Sequence, residues 1–191
     1  MKVDDSGMPE EAYWNSLFDM DGIVGWLEHA KINGATIAEI GCGYGTFTLP
    51  IAKKHAGKIF AFDIEPAMIK IARENASKAG LSNVIFSLRD VLERGTGLES
   101  GSADIVLLFN ILHFSTKRLL LEEAARILKV GGIVAIIHWR KDIPTPRGPA
   151  LSVRPDQDEI LSAAAGLSLN FQGNSKILEP YHWGIQLVKT L

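Results

Sequence analysis

Glu39-Ile40-Gly41-Cys42-Gly43-Tyr44-Gly45 is the stretch on which the reading of this chain turns. Residues 36–40 make a short apolar strand, and residues 47–54 are amphipathic with helical spacing. The glycines therefore sit where a strand hands over to a helix, the edge at which open α/β sheets bind ligands. Glycine lets the backbone turn tightly and approach a ligand without a Cβ in the way. The dinucleotide fingerprint G-x-G-x-x-G/A needs a small residue at its sixth position, and counting from Gly41 that residue is Thr46. Glu39, two residues before the first glycine, adds a second distinction. A carboxylate beside the loop repels a pyrophosphate and favours a sulfonium or an ammonium. The loop reads as the cradle of a ligand that is cationic there. A tight turn with no ligand is the competing reading, and Cys42 reads as a small buried packing residue.

Working outward, Asp63 ends the next apolar run, 58–63, and lies 22 residues after Gly41. An acid there is placed to accept hydrogen bonds from ribose hydroxyls. The alternative is an N-cap for a helix over 67–79, but Glu65 and Pro66 intervene. Asp90 follows a strand over 84–88. It either accepts a hydrogen bond from an exocyclic amine such as that of adenine, or pairs with Arg89 or Arg94.

The remaining runs repeat the alternation. Strands are expected over 103–109 and 133–139, with a helix over 116–128 ended by Gly131-Gly132 and another over 155–165 capped by Gly166. Near-continuous apolar strands between amphipathic helices mean a parallel sheet covered on both faces. Residues 167–171 and 182–189 read as an antiparallel strand pair. Residues 142–155 hold Pro144, Pro146, Pro149 and Pro155 and read as an irregular loop. At the front, the first eight residues read as disordered. A helix is expected from Pro9, broken near Gly22, with a second running to about residue 31.

The chain has 191 residues, 47% of them apolar and 22% charged, enough for one globular domain. Its net charge of −2 gives no reason to expect nucleic acid as a partner. One cysteine excludes an internal disulfide. No apolar run approaches the roughly 20 residues needed to cross a bilayer, and the first residues lack a signal-peptide core. A cytoplasmic protein with no membrane partner is expected.

Taken as a set, EIGCGYG, AFDIEPAMI, RDV, ADIVLLFNILHF and ARILKVGGIVAII resemble the class I S-adenosylmethionine-dependent methyltransferases over roughly residues 36–140. Within them the chain is most similar to the small-molecule type that includes ubiquinone and menaquinone biosynthesis. The resemblance implies an α/β, Rossmann-like doubly wound fold. Its seven-stranded sheet is mostly parallel with an antiparallel last strand and helices on both faces. It implies one domain over 1–191: a helical cap over 1–34, a cofactor core over 36–140 and a substrate side over 141–191. It also implies S-adenosylmethionine as cofactor and S-adenosylhomocysteine as product. Gly41, Cys42, Gly43 and Gly45 would pass under the methionine part, and Glu39 would orient it. Asp63, with Ile64 beside it, would hold the ribose. Asp90 and the Val91 amide would read the adenine. The Asn110 carbonyl would sit near the ammonium. Asn110-Ile111-Leu112-His113 departs from the N/D-P-P-Y/F signature of many enzymes that methylate amino groups of bases or glutamine. The single cysteine argues against an arsenic acceptor, which wants several thiolates.

The methyl of a sulfonium is already electrophilic, so catalysis is mainly alignment, which can contribute about 7–11 kcal/mol. A base is needed only for an acceptor whose proton has a high pKa. His113 and His138, at the ends of the fourth and fifth strands, are the candidate catalytic residues. His182 is a further candidate, and structural histidines are the alternative. His29 and His55 read as surface or packing residues. No metal site is expected from the spacing. Arg147 or Arg154 is a candidate for binding an anionic group of the substrate. Trp14, Phe18 and Trp26 read as a lid or as core. The acceptor is expected to be a small molecule. The competing functions are a nicotinamide-dependent oxidoreductase, an RNA or protein methyltransferase, and a cofactor-binding protein without catalysis.

Overall fold

Strands β1 (Ile37–Ile40), β2 (Ile59–Asp63), β3 (Val84–Leu88), β4 (Ala103–Phe109), β5 (Leu128–Trp139), β6 (Leu169–Leu178) and β7 (His182–Lys189) build one sheet. Their order is β3-β2-β1-β4-β5-β7-β6. The computed structural model describes residues 8–28, 33–55 and 57–191. The expectation for residues 1–7, and that for His29, lie outside them. Strands β1 to β5 pair in parallel, and β7 is antiparallel to both β5 and β6. The expected doubly wound, Rossmann-like class is the one observed.

Alternation along the strands sorts the core into two layers. Ile105, Leu107 and Phe109 of β4 face one side, where they meet α2 (Met20–Glu28) and α3 (Thr48–Lys54) through Ile23, Leu27 and Ile51. Val106 and Leu108 face the other side, against α6 (Lys117–Ile127) and α7 (Gln157–Ala164). Helix α4 (Pro66–Lys78) packs on Ala61 and Phe86 of β2 and β3 through Ile69, Ala72 and Ala76. A one-residue slip of any central strand would turn its apolar set to the wrong layer, so the register is fixed by burial.

Several boundaries differ from the expectation, each for a local reason. Helix α1 (Glu11–Asn15) starts after Glu10, whose carboxylate accepts hydrogen bonds from the Ala12 and Tyr13 amides, rather than at Pro9. Gly22 is not the break after the first helix, which already ends at Asn15. The Gly22 amide donates to Asp19 Oδ1, so the residue belongs to the first turn of α2. Strand β5 begins at Leu128, paired with Ala103. Gly131 and Gly132 lie in a register irregularity within that strand rather than at a helix end. Helix α7 is opened by Asp156 in a reciprocal capping box with Glu159, not by Pro155. Strand β6 runs to Leu178 across an irregularity between Phe171 and Ser175, where Gly173 has φ +81°. No helix among the described residues is long and apolar enough to cross a membrane.

Candidate functional site

Strand β1 lies mid-sheet between β2 and β4, where the strand order reverses. The loop leaving it is pinned at once: the Gly41 and Cys42 amides both donate to the Phe62 carbonyl, at 2.8 and 3.0 Å. Gly41, Gly43 and Gly45 have φ of +82°, +52° and +82°, a region closed to most side chains. A Cβ on Gly41 would stand 2.7 Å from Ile111 Cγ2, so the segment after β4 lies directly against the loop. Asp63 ties the loop to β2. Its Oδ2 accepts from the Gly43 amide at 2.8 Å and its Oδ1 from Glu65 N at 2.9 Å. Burial raises its pKa while these amides lower it. The N-cap position of α4 belongs to Glu65, not Asp63.

Thr46, the residue that spoils the dinucleotide fingerprint, donates through its hydroxyl to Asn15 Oδ1 at 2.7 Å. The Tyr44 hydroxyl donates to the Pro9 carbonyl at 2.6 Å. Asn75 donates to Glu11 Oε1 and to the Tyr44 carbonyl. Helix α1 is thereby stitched across the glycine loop, a docking that sequence reasoning missed because short polar side chains carry no periodic signal.

Glu39 is 1% exposed. Its Oε2 accepts from the Thr48 hydroxyl, while its Oε1 has no partner among the described residues. Burial pushes its pKa up to about 8, opposed by the Thr48 bond and reinforced by Asp63. The expected standing carboxylate is corrected: without a cation beside it, Glu39 is a neutral acid at pH 7, because charge in a dry site is costly. A cation brought to Oε1 would draw the proton off. Cys42 is the small buried packing residue expected. Its thiol is packed with Ala61, Ile69 and Phe86, and burial raises its pKa. Only its backbone is left to serve the loop.

Beyond Asp63, a hollow of about 280 Å³ is lined by Ile64, Leu88, Arg89, Asp90, Glu93 and Arg94. Ile64 and Leu88 are 41% and 54% exposed, two bare apolar surfaces flanking an acid. Asp90 caps the short helix α5 (Val91–Arg94), its Oδ1 accepting from Leu92 and Glu93 amides. The expected arginines are occupied elsewhere: Arg89 donates to the Arg94 and Gly95 carbonyls, and Arg94 pairs with Glu93. Val91 is buried as the first residue of α5.

At the ends of β4 and β5 several buried side-chain nitrogens and oxygens lack a well-formed hydrogen bond among the described residues. Asn110 has φ +59°, strained for a residue with a side chain. Its amide donates to the Ile137 carbonyl, but its side-chain Oδ1 and Nδ2 are buried without a partner among the described residues. His113 Nδ1 and both ring nitrogens of His138 and of His182 are in the same state. The His113 and His138 rings meet edge to face at 5.8 Å. Burial lowers the pKa of His113, opposed by the Asn110 backbone carbonyl. His138 is 0% exposed and held well below the usual histidine range by burial, with His113 adding to the effect. Burial pushes His182 down to about 3, and its ring stacks on Phe18 at 4.5 Å.

Phe18 and Trp26 are core residues rather than a lid. Phe18 packs edge-on to Phe47, and Trp26 lies against Gly184. Trp14 is half-buried against Phe18 and Trp139. His55 is buried at the end of α3, with Nδ1 3.1 Å from Asn33 Oδ1. Arg154 holds the proline loop, donating to the carbonyls of Arg140, Arg147 and Pro149 beneath the Trp139 ring. Among the described residues no group of three or more His, Cys, Asp and Glu is arranged to hold a metal ion.

A family model described as a methyltransferase domain matches residues 32–166. The chain belongs to this family. Its strand order and glycine loop are those of the class I S-adenosylmethionine-dependent methyltransferase fold. It is similar to the ribosomal protein L11 methyltransferase of Syntrophomonas wolfei, 33% identical over 108 residues, 56% of this chain and 34% of that one. It is also similar to human EEF1A lysine methyltransferase 2, 26% identical, covering 68% of this chain and 59% of that one. The chain thus spans between a third and three fifths of the length of these two relatives. A solved SAM-dependent methyltransferase from Aquifex aeolicus shares the fold. Its TM-score is 0.79 at 23% identity, covering 95% of this chain and 94% of that one.

Proposed function

We propose that this methyltransferase moves the methyl group of S-adenosylmethionine to a small-molecule acceptor, releasing S-adenosylhomocysteine. The observation that carries the reading is Glu39, enclosed behind the glycine loop with one oxygen unpartnered. A buried polar atom without a partner asks for an explanation, and a cationic ligand lying over Gly41–Gly45 supplies one. Gly41, Gly43 and Gly45 carry no Cβ there, which favours close approach of a ligand. Asp63 keeps unused lone pairs for ribose hydroxyls. Ile64 and Leu88 offer apolar faces to a base, with Asp90 and the Val91 amide at its polar edge. The Asn110 carbonyl serves the ammonium end. We read residues 1–34 as the cap, 36–140 as the cofactor core and 141–191 as the acceptor side of one domain that works in the cytoplasm.

The cofactor supplies a methyl on a sulfonium, which departs with the bonding pair kept on sulfur. The chain supplies alignment, exclusion of water and a place for the acceptor's proton. His113, half-buried and neutral, takes that proton as the acceptor's lone pair bonds to carbon. His138, sealed in the core, is the weaker candidate for the same task. A small acceptor is favoured by the hollow of about 450 Å³ beside the proline loop, walled by Ile143, Pro144, Leu151 and Arg154. That size falls within the range of small-molecule pockets. A protein acceptor is the second reading, favoured by the names of the two relatives above.

Calorimetric titration with S-adenosylmethionine, S-adenosylhomocysteine and NAD tests the cofactor. Binding of the first two and not of NAD is the expected outcome. Binding of NAD alone would reject the proposal.

A further inference from the structure

Arg154 is 7% exposed, and among the described residues it is the one lysine or arginine that is buried. A buried charge is ordinarily met by an opposite one, yet the hydrogen-bond partners of this guanidinium are all neutral. Nε donates to the Pro149 carbonyl, Nη1 to that of Arg140 and Nη2 to that of Arg147. A guanidinium has more N–H groups than these, and one remains on each terminal nitrogen. Burial lowers the pKa of Arg154, and no acid opposes it. The neighbouring acids are engaged elsewhere: Asp142 with Arg140 at 2.7 Å, and Asp156 with Lys141 at 2.5 Å. Arg154 also lines the hollow beside the proline loop, where Ile143, Pro144 and Leu151 form an apolar wall and Leu151 is 59% exposed. Trp139, whose ring lies 5.9 Å from Arg154 Cζ, ends β5, and β5 runs parallel to β4 as β4 does to β1. The hollow therefore stands at the edge of the sheet that carries the glycine loop.

We propose that this hollow is an anion subsite, in which Arg154 meets a carboxylate or phosphate on an acceptor with an apolar body. The proposal rests on the methyltransferase reading and adds the acceptor's charge to it. The remaining N–H groups of the two terminal nitrogens suit the paired oxygens of such an anion. The anion supplies the counter-charge that the loop carbonyls cannot, and Ile143, Pro144 and Leu151 cover the rest of the molecule. Asp142, the one acid lining the hollow, is held by Arg140 and does not compete for Arg154. A neutral isostere leaves the guanidinium buried and uncompensated, and gains only the apolar contact.

The test uses the full chain saturated with S-adenosylhomocysteine, with benzoate, phenyl phosphate and benzamide as probes. The anions should bind at least tenfold more tightly than benzamide, and NMR should show them shifting the Arg154 Nε–H and the Leu151 methyls. The tighter of the two names the group as carboxylate or phosphate. Leu151→Glu sets a carboxylate against the hollow at an exposed position, where substitution costs the fold little. It should weaken benzoate at least tenfold relative to Leu151→Gln, with benzamide the same in both. Arg154→Met should abolish the preference for anions. Arg154 also holds its loop, so the Leu151 pair decides if that variant does not fold. The proposal is overturned if benzamide binds as well as the anions, if neither anion binds, or if Leu151→Glu and Leu151→Gln bind benzoate alike. It is also overturned if S-adenosylhomocysteine and benzoate displace one another, because the anion would then lie in the cofactor's place. Failure of wild type to bind S-adenosylhomocysteine, with the anion preference intact, would instead sink the methyltransferase reading while upholding the anion subsite.

Discussion

Glu39 and Glu123 are both withdrawn from water, and the protein holds them in opposite states. Glu123 lies on α6 with its side chain 12% exposed. It accepts from the Thr96 amide and hydroxyl, each at 2.6 Å, and from Arg126 at two nitrogens, each at 2.7 Å. Burial pushes its pKa up, but the Arg126 and Thr96 bonds outweigh it and leave a value of about 2. Glu39, on the central strand, has one hydroxyl and a bare oxygen, and stays protonated to about pH 8. Where an acid joins two elements, the chain saturates its oxygens. Where it stands behind the glycine loop, one oxygen is left without a partner among the described residues.

Removing the saturated acid should have the largest effect. Glu123→Ala deprives Thr96 and Arg126 of their partner and should cost about 2–3 kcal/mol at pH 7, the range for charge-assisted hydrogen bonds. The folded pKa is depressed, so this stability is present above about 4.5 and lost as pH falls toward 2. Denaturation of wild type and variant should therefore converge near pH 2, with S-adenosylhomocysteine binding unchanged at pH 7. A variant equally stable at pH 7 would break the contrast. Glu39→Gln should act in the other direction. The folded pKa is raised, so wild-type stability is full below about 4.5 and declines toward pH 8. Glutamine mimics the protonated acid, and the variant should gain on wild type across that window. It should lose affinity for S-adenosylhomocysteine by about 1.5–3 kcal/mol at pH 8, because a neutral amide cannot pair with the ammonium. Wild-type binding should tighten from pH 6 to 8 and release a proton, read by calorimetry in buffers of different ionisation enthalpy. Affinity independent of pH would show that Glu39 does not meet the cation.

That contrast was not legible in the chain, although most of the architecture was. The run at 105–109 is apolar throughout, as a strand buried on both faces must be, with Asp104 at its entry paired to Lys129, and β3, β4 and β7 have the expected bounds. The glycine turn after β1, the acid ending β2 and the acid following β3 stand at the positions that the spacing gave them. What escaped depends on partners distant in sequence. Glu39 reads as a carboxylate until Thr48 and the closed core around it are in place. Arg154 reads as a loop cation, but it meets three carbonyls of its own loop. Strand β6 beyond Phe171 is an exposed edge holding Gln172, Gly173 and Asn174, so burial writes no pattern there. Helix α5, four residues long, depends on the Asp90 cap rather than on periodicity.

Asp63 stands between the two extremes, with one oxygen on each of two amides and lone pairs remaining. Asp63→Ala should weaken S-adenosylhomocysteine binding by about 1–3 kcal/mol through the lost ribose contacts. It also releases Gly43, so thermal stability should fall in the ligand-free protein. Asp63→Asn separates the two effects. Its carbonyl oxygen can still take the Gly43 amide, while its NH2 faces the Glu65 amide and presents a donor rather than a carboxylate to the ribose, so stability should return in part. Stability above that of the alanine variant with affinity still reduced would assign the carboxylate to the ligand, whereas wild-type affinity would make Asp63 a loop tie alone.

Asp90 gives the smallest effect and the sharpest division. As the cap of α5 it is structural like Glu123; as an acid beside the bare faces of Ile64 and Leu88 it resembles Glu39. The two duties need different chemistry. A cap requires a side-chain oxygen within reach of the Leu92 and Glu93 amides, which serine also provides, whereas reading an exocyclic amine requires an acceptor extending further into the hollow. Asp90→Ala should cost about 1 kcal/mol of stability and should also weaken S-adenosylhomocysteine binding. Asp90→Ser should recover the stability without the affinity. If serine restores both, the acid is only a cap, and adenine is held by the apolar faces and the Val91 amide. If neither variant changes affinity, the hollow beside Ile64 is not where the base lies.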